Sequence, residues 1–179
     1  MKTIAKFSTL VVLILVMLGC SSETSLQKYY VDKQKDNAFI SLDIPSSLLS
    51  KKENSLTLEQ KETLNSIKKM NLLALQNKEE NVAIYEVEKE HVTAILNDAK
   101  YKTLVKFGSN TKGATLKFTG EEDAIDELIV FASDDSKGFA LIRVLGDNME
   151  PSKIVQLMEG VHEDNFDFSF LKNIEAVLN

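Results

Sequence analysis

The stretch FGSNTKGATLKF, residues 107–118, has the spacing that most invites a chemical reading. Gly108 and Gly113 bracket four residues, with Thr111 and Lys112 among them, in the manner of a loop that wraps a phosphate. Such a loop needs a strand before it and a helix N-terminus after it, so that backbone N–H groups and the helix dipole face the anion. Here ATLKF follows, a run that favours extended backbone, and Ala114 stands where the phosphate-contacting lysine belongs. The glycines therefore predict a turn between two strands and no nucleotide site. Serine chemistry fares no better. Ser66 with Lys69 and Ser109 with Lys112 satisfy S-x-x-K, a spacing that works only when lysine sits one helical turn from the serine. The second pair falls in the predicted turn, the first could lie on a helix, and no S-D-N, K-T-G or G-x-S-x-G motif accompanies either.

Two histidines, His91 and His162, are too few for a three-histidine zinc site, and no H-E-x-x-H spacing occurs. His91 falls on or beside the apolar stripe of a predicted helix, as a core-edge residue. His162 lies near a helix end, where a protonated imidazole would meet the negative end of the dipole. The acidic runs GEEDAIDE (120–127) and SDDSKG (133–138) lack the D-x-[DN]-x-[DN]-G spacing of a calcium loop. They read as solvated turns, with Glu121 and Glu122 as weak cation contacts at most. The sequence thus calls for no cofactor, no resident metal and no catalytic residue.

The N-terminus is the most informative segment. Lys2 and Lys6 precede the apolar run FSTLVVLILVML, and Cys20, the chain's one cysteine, follows Gly19. About a dozen apolar residues make a secretory core and fall short of the ~20 that a helix needs to cross a bilayer. Met17-Leu18-Gly19-Cys20 resembles the bacterial lipobox. That resemblance implies a signal peptide over residues 1–19, diacylation of the Cys20 sulfur with palmitate-class chains, and acylation of the new amino group. Each buried methylene is worth about 0.8 kcal/mol, so several chains hold a protein on a membrane. Residues 20–25 then form a polar tether. Ser21 and the single Glu23 fit an outer-membrane lipoprotein facing the periplasm.

Charge and thiol count exclude other classes. The net charge of −6 becomes more negative once Lys2 and Lys6 are removed. Nucleic acid, which needs clustered lysine and arginine, is therefore not an expected partner. With Cys20 carrying lipid, no thiol remains for a disulfide or a thiolate nucleophile.

Residues 26–36 predict a short polar helix. Ala38, Ile40, Leu42 and Ile44 alternate with Phe39, Ser41 and Asp43 in a strand that Pro45 stops. Residues 46–55 are a polar break with room for one helical turn. Thr57 and Gln60 form a capping box for a helix reaching Lys69, with Leu64 and Ile67 inward. NLLAL (71–75) predicts a short buried strand. Residues 79–98 predict a helix with Ile84, Val87, His91 and Ile95 on its stripe, Val92 and Leu96 beside it, and Glu88 and Lys89 on the wetter side. Strands at 103–107 and 114–118 flank the GSNTKG turn, and the same lysine–glycine pattern returns within 129–146, so two successive β-hairpins are expected. Pro151 opens a helix with Ile154, Leu157, Met158 and Val161 on one face. The tail from about residue 163 alternates Phe166, Phe168 and Phe170 with polar residues, as an edge strand would, and LKNIEAVLN closes as a short helix. These elements predict a single α+β domain over 26–179, built on a mainly antiparallel sheet of about six strands with two or three helices packed on one face.

QKYYVDKQKDNAFISLDIP, KFGSNTKGATLKFTGEEDAIDELIVFASDDSKGFALIRVLGDNMEPSKI and the lipobox together resemble the DUF4252 family, small lipoproteins found mainly in Bacteroidota. The family implies no activity, ligand or catalytic residue for this chain. Its members are often encoded near extracytoplasmic sigma factors, which implies a link to envelope-stress signalling. The expectation is a non-catalytic, lipid-anchored envelope protein that binds a partner, with Phe166, Phe168 and Phe170 either as the partner surface or packed on the domain's own sheet. A periplasmic hydrolase with an unrecognised site and a carrier of small molecules or lipid are the alternatives.

Overall fold

The computed structural model describes residues 25–48 and 56–159. Their order is α1 (Leu26–Lys33), β1 (Phe39–Pro45), a 3-10 turn (Ser46–Leu48), α2 (Leu58–Ser66), β2 (Ile67–Gln76), α3 (Val82–Leu96), β3 (Lys102–Gly108), β4 (Lys112–Glu121), β5 (Ala124–Asp134), β6 (Gly138–Met149) and α4 (Pro151–Glu159). Six strands form one sheet in the order β1-β2-β6-β5-β4-β3, with every neighbouring pair antiparallel. The expected α+β class, strand number and paired hairpins are all present. Among the described residues no helix is long and apolar enough to cross a membrane.

The helices divide between the two faces, which differs from the expected one-sided packing. One core, here face A, gathers Leu26 and Tyr29 of α1 and Tyr85 and Val92 of α3 over Leu73, Ile129, Phe139 and Leu141 of the sheet. The other, face B, gathers Leu64 of α2 and Ile154 of α4 over Met70, Phe118 and Leu128. The cause lies in the central strands. β2 is buried at six successive positions from Met70 to Leu75, so neither of its sides can be left to water. A sheet apolar on both faces needs cover on both.

Among the described residues that cover is incomplete on face B. Strand register lines up Ile40, Ala74, Ala140, Ala132, Ala114 and Phe107 as one row across all six strands. The next row is Leu42, Leu72, Ile142, Val130, Leu116 and Val105. Ala74 and Leu72 are buried, whereas the other members are half-buried and Phe107 is exposed. α2 and α4 sit over the third row, around Ile44, Met70 and Phe118.

Local signals explain the element ends. The capping box closes as expected, with Thr57 Oγ1 accepting from Gln60 N at 3.2 Å and Gln60 Oε1 accepting from Thr57 N at 2.9 Å. The helix stops at Ser66, earlier than expected, because Ile67 already lies in β2 opposite Gly146. GSNTKG is a hairpin turn: Ser109 N donates to Lys112 O at 2.8 Å, and Gly108 takes φ +73°, a conformation that costs glycine least.

Candidate functional site

Buried polar groups, where function often hides, here tie helices to face A. Arg143 is 2% exposed in the middle of β6. Its Nε donates to Glu127 of β5, and its Nη1 donates to Gln27 Oε1 of α1 at 2.9 Å. Alongside, Tyr30 of α1 donates to Asp43 Oδ1 at 2.9 Å, and Asn71 Nδ2 donates to the same carboxylate. Burial and that hydrogen bond push the Tyr30 hydroxyl well above the ordinary tyrosine range, so it stays a neutral donor. The sequence signal for this role is that Arg143 is the only arginine in the chain and interrupts an apolar strand. A guanidinium is the cation best suited to a buried pair.

α3 is held in a similar way, and its buried face is rotated from the expected stripe. Tyr85, Glu88, Val92, Ile95 and Leu96 are buried, while Ile84 and Val87 are exposed. Glu88 was expected on the wetter side. It faces inward because Tyr29 donates to its Oε2 at 2.9 Å and Lys33 pairs with its Oε1. Burial and Glu88 together push the Tyr29 hydroxyl far up. His91 is half-exposed, packs edge-on against Tyr29 with centroids 5.2 Å apart, and lies 3.9 Å from Glu88. Among the described residues His91 is the one histidine, and no group of three or more His, Cys, Asp or Glu could hold a metal ion. At the far end, Tyr85 donates to Asp135 Oδ1 at 2.7 Å and Lys89 pairs with the same oxygen.

The other sequence candidates stay apart. Ser66 ends α2 and donates to Thr63 O at 2.7 Å, whereas Lys69 lies in β2, so S-x-x-K geometry is not formed. Ser109 lies in the turn with its Oγ 3.0 Å from that of Thr111. Glu121 and Glu122 lie exposed where β4 turns into β5. Cys20, His162, Phe166, Phe168 and Phe170 lie outside the described residues, as does Val161 of the expected α4 stripe; of that stripe Ile154 is buried.

One turn has resolved electrostatics. Asp134 Oδ1 accepts from Ser136 Oγ at 2.6 Å and Ser136 N at 2.9 Å, and its Oδ2 lies 3.1 Å from Lys112 Nζ. Ser136 and then Lys112 hold its carboxyl down at about 2. A carboxylate depressed in the fold stabilises it above the unfolded value of about 3.9, and that contribution fades as pH falls towards 2. Carboxyl NMR titration should therefore find Asp134 still ionised at pH 3, and Ser136→Ala should raise its midpoint towards the ordinary range.

A cleft remains as the place where something could bind. α3 covers the centre of face A and leaves β3 and the outer side of β4 open, giving a cleft of about 660 Å³. Its α3 wall carries Glu86, Glu90 and Thr93, and its floor carries Lys106, Lys117 and Phe131. Lys117 Nζ donates to Tyr101 O at 3.0 Å, and burial pulls its pKa below the usual lysine value. Beside the cleft runs β3, the last strand of the sheet, with Leu104 40% and Phe107 62% exposed. The cleft thus combines apolar surface with two lysines and two glutamates, beside the outer edge of β3.

Among the described residues, fold and site together define an α+β protein with an open six-stranded antiparallel sheet, edged by β1 and β3, and helices on both faces. Comparison with protein families matches residues 29–157 to the family described as a domain of unknown function, DUF4252. The match spans most of the chain, and the protein belongs to that family. No curated protein and no solved structure matches it.

Proposed function

We propose that this chain is a lipid-anchored cell-envelope protein that works by binding, taking an extended segment of an envelope protein along the free edge of β3. The exposed edge beside the cleft is the observation that carries this reading. A strand added there would use backbone groups of β3 that no neighbour in the sheet engages, and its side chains would alternate between the cleft and face B. Lys106 and Lys117 on the floor, with Glu86 and Glu90 on the α3 wall, suit a segment that carries side chains of both signs on the cleft side. The Cys20 lipobox supports a membrane partner through lipid, at the outer membrane facing the periplasm. The link to envelope-stress signalling rests on the family resemblance.

The carrier reading has one observation in its favour: the cleft's 660 Å³ falls within the ~300–1,000 Å³ of small-molecule sites. The hydrolase reading has none. A photo-crosslinking residue at Thr103, in the full-length lipoprotein within cells, separates the two that remain. Thr103 lines the cleft, and Lys28, exposed on α1, serves as the control position.

A further inference from the structure

The open part of face B needs an occupant. Its two outer rows of apolar side chains run about 24 Å across six strands and about 14 Å along them, by ordinary strand spacing. We propose that residues 160–179 of this same chain cover it, seating Phe166, Phe168 and Phe170 against the alanine row. This inference concerns face B, opposite the cleft, and shares Phe107 with the β3-edge reading.

Position comes first. α4 belongs to face B, where Ile154 is 3% exposed within its core, so the described chain ends on that face. Reach is ample: a segment this long extends to roughly 65 Å, whereas neighbouring rows of one face are about 7 Å apart. Shape agrees as well. Between Ile40 and Phe107 the outer row is made only of alanines, which leaves a shelf without side-chain bulk. A shallow, almost wholly apolar depression of about 390 Å³ lies there, bordered by Phe107, Ala114, Ala132 and Ala140. Alternating phenyl rings present bulk on one side of an extended chain, as that shelf requires. Leu171, Ile174, Val177 and Leu178 follow with helical spacing and could continue over the second row.

A second copy of the chain fits less well. The open rows amount to roughly 300–400 Å² of flat area, below the ~800 Å² per partner of a stable interface. Left bare, face B and the phenylalanines would be two apolar surfaces on one molecule, an arrangement that soluble domains avoid.

Disulfide trapping tests this in the full-length chain, whose only native cysteine is Cys20. Chains carrying Ala132→Cys with Phe168→Cys, or Ala140→Cys with Phe166→Cys, are oxidised and run without reductant, beside each single substitution. The proposal expects an intramolecular disulfide in more than half of the molecules for at least one pair, and none in the single variants. It is overturned if neither pair closes, if the disulfides join two copies, or if Thr103→Cys on face A closes with Phe168→Cys as readily, which would place the tail at the β3 edge.

Discussion

Arg143→Ala should lower the free energy of unfolding by about 3–5 kcal/mol, measured by urea denaturation, because it leaves a largely buried Glu127 without its cation. The side chain is 2% exposed, so water cannot replace it at little cost. Gln27 Oε1 loses its donor in the same step, which also loosens α1 from the sheet. The double substitution Arg143→Met with Glu127→Leu should recover most of the loss, since apolar groups of similar volume need no partner. The contrast between the two variants identifies the cause. A loss below about 1 kcal/mol for Arg143→Ala would mean that the pair is not desolvated as described.

Gly138→Ala should cost a comparable amount. Gly138 is buried at the start of β6 with φ +137°, and a Cβ there would stand 2.1 Å from Leu75 O and 2.9 Å from Gln76 Cα. Both obstacles are backbone of the neighbouring strand, so no side chain can swing aside. Strain and overpacking each add about 1–3 kcal/mol, and together they should detach β2 from the β5–β6 turn. Asn148, at φ 48°, makes the control: Asn148→Gly should change stability by no more than a few tenths of a kcal/mol, since glycine accepts that conformation. If Gly138→Ala unfolds at the same urea concentration as the unaltered protein, the close approach of β2 to β6 at this point is wrong.

The hairpins were legible because their signals are local. Alternating apolar positions and the Lys112-Gly113 and Lys137-Gly138 pairs are enough to place β3 to β6. The Thr57–Gln60 capping box was legible for the same reason. What stayed hidden depends on partners far along the chain. Glu88 looks solvent-facing until Tyr29 and Lys33, more than fifty residues earlier, are brought against it, and its inward position turns α3 away from the stripe of Ile84 and Val87. β2 was expected only over 71–75, because a strand buried on both sides loses the alternation that marks its ends; it runs from Ile67 to Gln76. Two-sided burial of that strand is also why helices were expected on one face and occur on both.

The candidate site was less legible than the fold. A strand edge has no sequence signature: β3 became the edge through the pairing order, with β6 returning to β2. Lys117 gave no sign of a half-buried amine within the alternation of ATLKF, since that depends on the place where α3 stops covering the sheet. Phe166, Phe168 and Phe170 stand out in the sequence by their spacing and lie outside the described residues; the proposal that they cover face B rests on the open alanine row.

The central claim is that this protein binds through the β3 edge. It is tested most directly by photo-crosslinking from Thr103 in cells that carry the full-length chain. The account predicts one dominant adduct with an envelope protein, absent from Lys28 and reduced at least tenfold by Leu104→Ser with Phe107→Ser. Equal adducts from Thr103 and Lys28, or an adduct that survives the double substitution, would contradict it.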